Sequence, residues 1–454
     1  MAQLESWLVR MENWVWGAPL LFLLIAVGLY LTFVLKGIQF RYLGYSLKLA
    51  FTRQDSGAQG DISQFQALMT ALAGMIGIGS ITGVATAVAM GGLGAIFWMW
   101  VASLIGMSIK FSEAILAVKY RITDAKGEMS GGPMHYLEKG LKSKGLAVFF
   151  ALAGTITALV TGNMVQANSI AAALQGLVDP MWVGIGISIA AGLALFGGIK
   201  SIGKVAGWLV PLMALIYITG GLILICLKIE AVPYAFVEII RQAFTSQAAF
   251  GGFAGSTIMT AMQFGVSRSI FSNEAGLGTA SIAAAAAKTD VPGRQALISM
   301  SGVFLTSIVV CTITGLAIAV SGLLGQAGPD GQLLNGSLLA LAAFKSAFPF
   351  SVVILTISLI LFGYSTILGW AYYGEKCTEY LFGIRAVFWY RMLFILMLIP
   401  GATLSLQIVW SFANVMNGLM AFPNLIGIFG LSSIIVAETR EFEKLLKFEQ
   451  KQQA

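Results

Sequence analysis

Two short runs of the chain repeat one order of residue types. Gly77-Ile78-Gly79-Ser80 and Gly276-Leu277-Gly278-Thr279 each read glycine, aliphatic, glycine, small hydroxyl. Glycine weakens a helix and lets backbone approach a ligand closely. Where glycines interrupt an apolar span, the helix unwinds and frees backbone groups at mid-membrane. Half-helix N-termini then present N–H groups and a positive dipole end, which suit a carboxylate. Freed carbonyls and half-helix C-termini suit Na⁺. Gly74 and Gly77 are the backbone candidates for such a cation, and Ser80 and Thr279 add hydroxyl oxygens. The chemistry these residues offer is recognition of a small charged solute, not bond making.

Two further stretches add polar atoms to apolar spans. One reads Thr161-Gly162-Asn163-Met164-Val165-Gln166-Ala167-Asn168-Ser169. Three amide side chains in an apolar helix are costly unless partnered, so Gln166, or Asn163 one turn before it, is expected to face a substrate. The plainer reading is interhelical hydrogen bonding. The other stretch is Tyr364-Ser365-Thr366-Ile367-Leu368-Gly369-Trp370. Ser365 and Thr366 can supply hard oxygen ligands to a cation, or merely bond back to their own helix. Trp370 is a pocket wall or plain packing. Arg268 and Glu274 lie in the second glycine-broken segment and offer an ion pair or a gate. Lys110 and Glu113, three apart, suggest a local pair or snorkelling. Glu375 reads as structural, at a helix end.

The elements that must position these residues follow from composition. Of 454 residues, 58% are hydrophobic and 10% charged, against roughly a quarter charged in soluble domains. The apolar runs are long and continuous, which predicts an all-α membrane protein rather than a barrel. The net charge of +7 comes from loop residues beside spans, so it indicates membrane topology and not a nucleic-acid partner. Cys226, Cys311 and Cys377 show no metal-ligand spacing and no disulfide framework. The single histidine, His135, reads as an ordinary surface loop residue.

Eleven spans are predicted, at about 17–36, 65–89, 93–118, 147–175, 181–199, 205–227, 252–287, 296–322, 350–373, 387–405 and 408–437. Residues 1–16 form an amphipathic lead-in, 228–250 an interfacial segment and 323–349 a loop. Of 27 Lys and Arg residues, 21 fall on the side of the loop 119–145, four on the other, and two within spans. The positive-inside rule then places the N-terminus outside and the C-terminus in the cytoplasm. With 17–36 set aside as an extra N-terminal helix, the broken segments open two five-span halves, 65–227 and 252–437, of opposite orientation. That arrangement is an inverted repeat, the architecture of many secondary transporters, with substrate at the broken helices. The whole chain is thus one transporter domain working by alternating access. Close packing at small residues is the alternative reading of the glycines; the matched position of the two breaks favours transport.

No Walker motif or nucleotide domain is present, which excludes an ATP-driven pump. No nucleophile–base or acid–base arrangement points to an enzyme. A channel would show a polar stripe or filter loop.

The chain resembles the alanine-or-glycine:cation symporter family, within the broad group sharing the LeuT fold. The resemblance rests on Ser63-Gln64-Phe65-Gln66-Ala67, Gly94-Ala95-Ile96-Phe97-Trp98-Met99-Trp100, Gly131-Gly132-Pro133-Met134, Gly162 to Asn168, Phe271-Ser272-Asn273-Glu274-Ala275-Gly276-Leu277-Gly278 and Ser365 to Trp370. It implies Na⁺-coupled uptake of small neutral amino acids, chiefly alanine and glycine, with no organic cofactor. It implies a pocket of backbone near Gly77 and Gly79, Gln166, the region from Asn273 to Gly278, and Trp370. Ser365 and Thr366 would join a Na⁺ site. The family pattern carries Asn where this chain has Ser80, so a different reach at that position is expected, with H⁺ coupling or another small or amide amino acid as the alternative. A single chain in a prokaryotic plasma membrane is the expected working unit.

Overall fold

In lipid the backbone has no partner but itself, so continuous apolar runs become helices. A computed structural model of the chain describes residues 2–52, 58–245, 258–328, 331–348, 350–404 and 406–453. It begins with α1 (Ala2–Val15) and α2 (Ala18–Val34), then two short helices, α3 (Ile38–Arg41) and α4 (Leu43–Phe51). α5 (Gln64–Met75) and α6 (Thr82–Gly91) are two halves bent by 61° about a break. α7 (Gly94–Lys119) leads into a small hairpin, β1 (Ile122–Thr123) and β2 (Met129–Ser130), and a turn of helix α8 (Pro133–His135). α9 (Lys144–Leu159) passes through a π-helical turn, Val160–Met164, into α10 (Val165–Ala173).

α11 (Pro180–Leu195), α12 (Gly198–Leu227) and the amphipathic α13 (Val232–Phe244) follow. α14 (Ile258–Asn273) and α15 (Thr279–Ala285) flank the second break. α16 (Pro292–Val303) continues through a π-helical stretch, Phe304–Val310, into α17 (Cys311–Ser321). Then come α18 (Gly336–Lys345), α19 (Ser351–Phe382), α20 (Ala386–Thr403), α21 (Leu406–Gly430) and α22 (Ser432–Gln453).

Among the described residues, seven helices are long and apolar enough to cross a membrane, or eight with the bent pair. Pro19–Val34, Pro180–Leu195 and Gly336–Lys345 are shorter apolar helices. Several predicted boundaries shift: the span at 205–227 begins at Gly198, and the one at 350–373 runs on to Phe382. The loop 323–349 contains α18, and the last predicted span, 408–437, ends at Gly430 where α22 begins. Residues 37–64, between the first two predicted spans, contain α3 and α4. Residues 252–257, the start of the second predicted broken span, lie outside the described residues.

The polarity is that of a lipid-solvated molecule. Phe33 and Leu193 are about four-fifths exposed, while Lys110, Glu113 and Glu274 are fully buried. Apolar side chains can face lipid at no cost, so the interior is where polar groups find partners. α5 lies at the centre, against α12, α15, α16 and α19. Its start is fixed by a capping box: Gln66 N donates to Ser63 Oγ and Ser63 N to Gln66 Oε1, both at 3.1 Å.

Candidate functional site

The first break follows Met75. Ile76 N still reaches Leu72 O at 2.6 Å, but Gly77 is extended and a 3₁₀ turn, Ile78–Ser80, replaces the helix. In a continuous helix the Ala73 carbonyl would pair with Gly77 N. Here it accepts instead from Thr366 Oγ1 at 3.0 Å and Ser365 Oγ at 3.4 Å on α19. Both hydroxyls also bond back to Phe362 O, at 2.9 Å for Ser365 and 2.8 Å for Thr366. The back-bonding expected of this pair is present, and the same hydroxyls also reach the carbonyl that the break frees. α19 comes so close that a Cβ on Gly77 would collide with Thr366 Oγ1. Gly369 would likewise place a Cβ 2.9 Å from Gly74 N. The structure thus brings Gly74, Gly77, Ser365 and Thr366 together.

Ser80, at the end of the 3₁₀ turn, links the two breaks. Its hydroxyl lies 2.8 Å from Ser272 Oγ, and its carbonyl accepts from Thr314 Oγ1 at 2.8 Å. Gly79 faces Phe271, whose ring would lie 2.7 Å from a Cβ there. Phe271 stacks on Trp410 at 5.3 Å and shares a small apolar cluster with Val160, Met164 and Val165 of the amide-bearing span.

The second break spans 274–278. Glu274, Gly276 and Gly278 all have positive φ, at +56°, +93° and +78°. The amides of Gly276 and Gly278 donate to Glu113 Oε1 on α7, at 2.9 and 3.0 Å. Asn424 Nδ2 donates to the same oxygen at 2.8 Å and to Gly276 O at 2.8 Å. The two glycine amides therefore already hold a carboxylate, one supplied by the protein. Thr279 Oγ1 donates to Glu274 Oε2 at 2.6 Å. Asn273 is fully engaged: Oδ1 accepts from Ala275 N at 2.9 Å, and Nδ2 donates to Ser269 and Ser307, both at 3.1 Å.

On the amide-bearing span, Gln166 Nε2 donates to Thr161 O at 2.9 Å, whereas Gln166 Oε1, Thr161 Oγ1 and Asn163 Oδ1 are buried without partners. Asn163 Nδ2 bonds Phe394 O at 2.5 Å, and Asn168 ties to Gly401 O and Leu404 O on α20. The interhelical reading holds for the amide nitrogens of Asn163 and Asn168; Gln166 keeps a free acceptor. Trp370 packs against Gly162, stands edge-on to Tyr373 at 5.7 Å and lies beside the Glu274 carboxylate.

Arg268 and Glu274 do not pair. Arg268 donates to Asn414 Oδ1 at 3.1 Å and lies 3.9 Å from Glu12 of α1. Lys110 does not snorkel: it is buried 3.4 Å from Glu113 and donates to Glu274 O at 2.8 Å. Glu375 pairs with Arg391 at 2.7 Å, a structural role as expected. His135 is buried, not a surface residue, with Ser130 Oγ 3.2 Å from its Nε2 and Tyr380 edge-on. Its pKa is lowered to about 4, chiefly by burial and then by Lys139 and Lys376. The three cysteines are free.

The sequence reading missed Glu113 as the anchor of the second break, and with it Asn424 and Tyr373. The one signal available was a carboxylate three residues after an intramembrane lysine, which spacing alone attributes to a local pair.

Residues 1–454 match the profile of the sodium:alanine symporter family. The chain is 51% identical, over 97% of its length and 97% of the relative, to the sodium/alanine symporter AgcS of Methanococcus maripaludis. It is 35% identical, over 98% of its length and 92% of the relative, to the probable sodium/glutamine symporter GlnT of Bacillus subtilis. In fold it resembles the crystal structure of MhsT in complex with L-phenylalanine, with TM-score 0.60 and 14% identity over 84% of this chain and 93% of that one.

Proposed function

The chain belongs to the sodium:alanine symporter family, and on that premise we propose that it couples Na⁺ influx to uptake of a small neutral amino acid, alanine or glycine, by alternating access. It is a transporter and not an enzyme. The observation that carries the coupling is the Ala73 carbonyl, released by the break in α5–α6 and met by Ser365 and Thr366 from α19. Two hydroxyls and the carbonyls freed beside Gly74 and Gly77 form a hard-oxygen set suited to Na⁺. Bound Na⁺ would take the place of the hydroxyl protons on Ala73 O and join α5 to α19.

The amino acid would lie where the first break, Phe271 and the π-helical turn before Gln166 meet. The free acceptor Gln166 Oε1 suits the substrate ammonium. The N–H groups opening the turn at Gly77, Ile78 and Gly79, which have no helical partner, suit its carboxylate. Ser80 sets the depth of the pocket, and Trp370 walls it toward α19. Gly276, Gly278, Asn273 and Thr279 act at one remove, by shaping the second break that Ser80 touches through Ser272.

In this reading the molecule has eleven spans: α2 as an extra helix over 17–36, then halves 65–227 and 252–437 inverted relative to one another. The N-terminus is outside and the C-terminus cytoplasmic, supported by the Lys and Arg bias. A single chain is the working unit, in a prokaryotic plasma membrane. Ser80 motivates a second reading, in which H⁺ replaces Na⁺ or the substrate is an amide amino acid; GlnT, named as a probable sodium/glutamine symporter, is a relative of that kind.

Uptake of labelled alanine into proteoliposomes tests the main reading. An inward Na⁺ gradient, but not a K⁺ gradient, should drive accumulation, and glycine should compete. Replacing Ser365 and Thr366 together by Ala should weaken the Na⁺ dependence. Uptake indifferent to Na⁺, or competed only by glutamine, would favour the second reading.

A further inference from the structure

Glu274 is the one residue of the second break whose charge the fold does not balance. Its side chain is fully buried between α5, α7, α15 and α19. The nearest cation, Lys110, is committed elsewhere. Its Nζ donates to the Glu274 backbone carbonyl at 2.8 Å and lies 3.4 Å from Glu113 Oε2. Lys110 and Glu113 thus neutralise one another. Thr279 donates to Glu274 Oε2 at 2.6 Å and the Trp370 side chain lies beside the carboxylate, while Glu274 Oε1 is left without a partner in hydrogen-bond geometry. A buried carboxylate without a counter-ion is among the costliest groups in a membrane interior.

A second buried oxygen is left over at the same place. The Tyr373 hydroxyl on α19 has no hydrogen-bond partner, and the side chain is 1% exposed. Both atoms converge on Gly74. A Cβ built there would stand 3.1 Å from Glu274 Oε1 and 3.1 Å from Tyr373 OH. The missing side chain of Gly74 leaves a small cradle bounded by a carboxylate oxygen and a phenol oxygen. The left-handed φ of Glu274, +56°, is a conformation that non-glycine residues seldom hold without a reason. Its carboxylate oxygen Oε1 stands against Gly74 of α5.

We propose that Glu274 and Tyr373, across the space left by Gly74, form a second monovalent-cation subsite, which Na⁺ occupies in addition to the one at Ser365 and Thr366. This rests on the Na⁺-coupled reading above and deepens it. One carboxylate balances one positive charge, and the remaining donors are neutral oxygens, so a monovalent ion fits and a divalent one does not. Tyr373 is seven residues beyond Thr366, about 10 Å along α19. Gly74 adjoins Ala73, whose carbonyl serves the first site. The two subsites lie in series between the same two helices, and a cation leaving the hydroxyl site would find a carboxylate next on its path.

Binding of radiolabelled Na⁺ to the full chain in nanodiscs, without amino acid and at fixed alkaline pH, tests this. The wild type should saturate at two Na⁺ per chain. Glu274→Gln should lose one, and the Ser365→Ala/Thr366→Ala double variant the other. Tyr373→Phe deletes an oxygen the fold does not use, so it should fold normally and weaken one site by about tenfold, the equivalent of about 1.4 kcal/mol. Unchanged Na⁺ number and half-saturation in Tyr373→Phe and Glu274→Gln would overturn the subsite. So would a Glu274→Gln variant altered only in the pH dependence of uptake, which would make the carboxylate a proton carrier. A wild type binding one Na⁺, lost in the double variant alone, would sink the second subsite and leave the coupling reading intact. No Na⁺ binding by any form would sink both.

Discussion

Glu113 shows how much one side chain can organise. A single carboxylate oxygen accepts from two backbone amides and from Asn424, while the other faces Lys110. Glu113→Ala should leave a lysine buried without its partner, a loss on the order of 3–5 kcal/mol for buried pairs. A fall in the melting temperature of the purified protein, with little transporter reaching the membrane, is the expected result. Wild-type stability in that variant would mean that another carboxylate balances the Lys110 charge. His135 makes a pH prediction. Its folded pKa is lowered, to about 4, so the fold prefers the neutral ring. That preference contributes fully above the unfolded value of about 6.5, is lost as pH falls from there toward 4, and amounts to at most about 3 kcal/mol. Melting temperatures should drop over that window in the wild type and stay flatter in His135→Gln. The glycines, the paired hydroxyls and Gln166 were legible in sequence because each is an odd residue in an apolar run. Glu113 and Tyr373 were not, because spacing cannot say which distant loop a side chain meets.

The breaks were legible as elements, but their difference was not. The first, at Ile76–Ser80, has no positive φ and is held from outside by hydroxyls on α19. The second needs left-handed backbone at three positions and is held by Glu113. Gly278→Ala should therefore be severe. It adds a Cβ at φ +78° and drives it into Pro133 of α8, with Asn424 3.0 Å away. Left-handed strain alone is about 1–2 kcal/mol, and overpacking adds about 1–3 kcal/mol more. Uptake should vanish together with thermal stability; a stable Gly278→Ala protein with normal uptake would show that the second break is softer than its contacts imply. The π-helical turns at Val160–Met164 and Phe304–Val310 had no sequence signal, since one extra residue in a helical turn leaves hydrophobic periodicity almost unchanged.

At the scale of the whole molecule, the predicted sidedness rests on charge counts, which were readable because basic residues cluster in loops. It gives a direct test. Glu230→Cys, between α12 and α13, should be labelled by a membrane-impermeant maleimide in intact cells, and Lys142→Cys only after permeabilisation; the opposite pattern would invert the topology. The residues after 437 lie beyond the predicted spans, since hydrophilic helices carry no insertion signal. In the structure α22 reaches across three elements. Glu443 pairs with Arg41 of α3 at 2.9 Å, Glu438 with Lys119 of α7, and Glu449 with Arg294 of α16 at 2.7 Å. Phe442 packs against Gly293. Two of these pairs are partly open to solvent, where dissolved ions weaken them. The hold of the terminal helix on the bundle therefore answers to the salinity of one compartment. Under the proposed topology that compartment is the cytoplasm: raising salt there should loosen α22, and the same salt on the outer face should not, an asymmetric response to osmotic conditions that the broken helices alone would not produce.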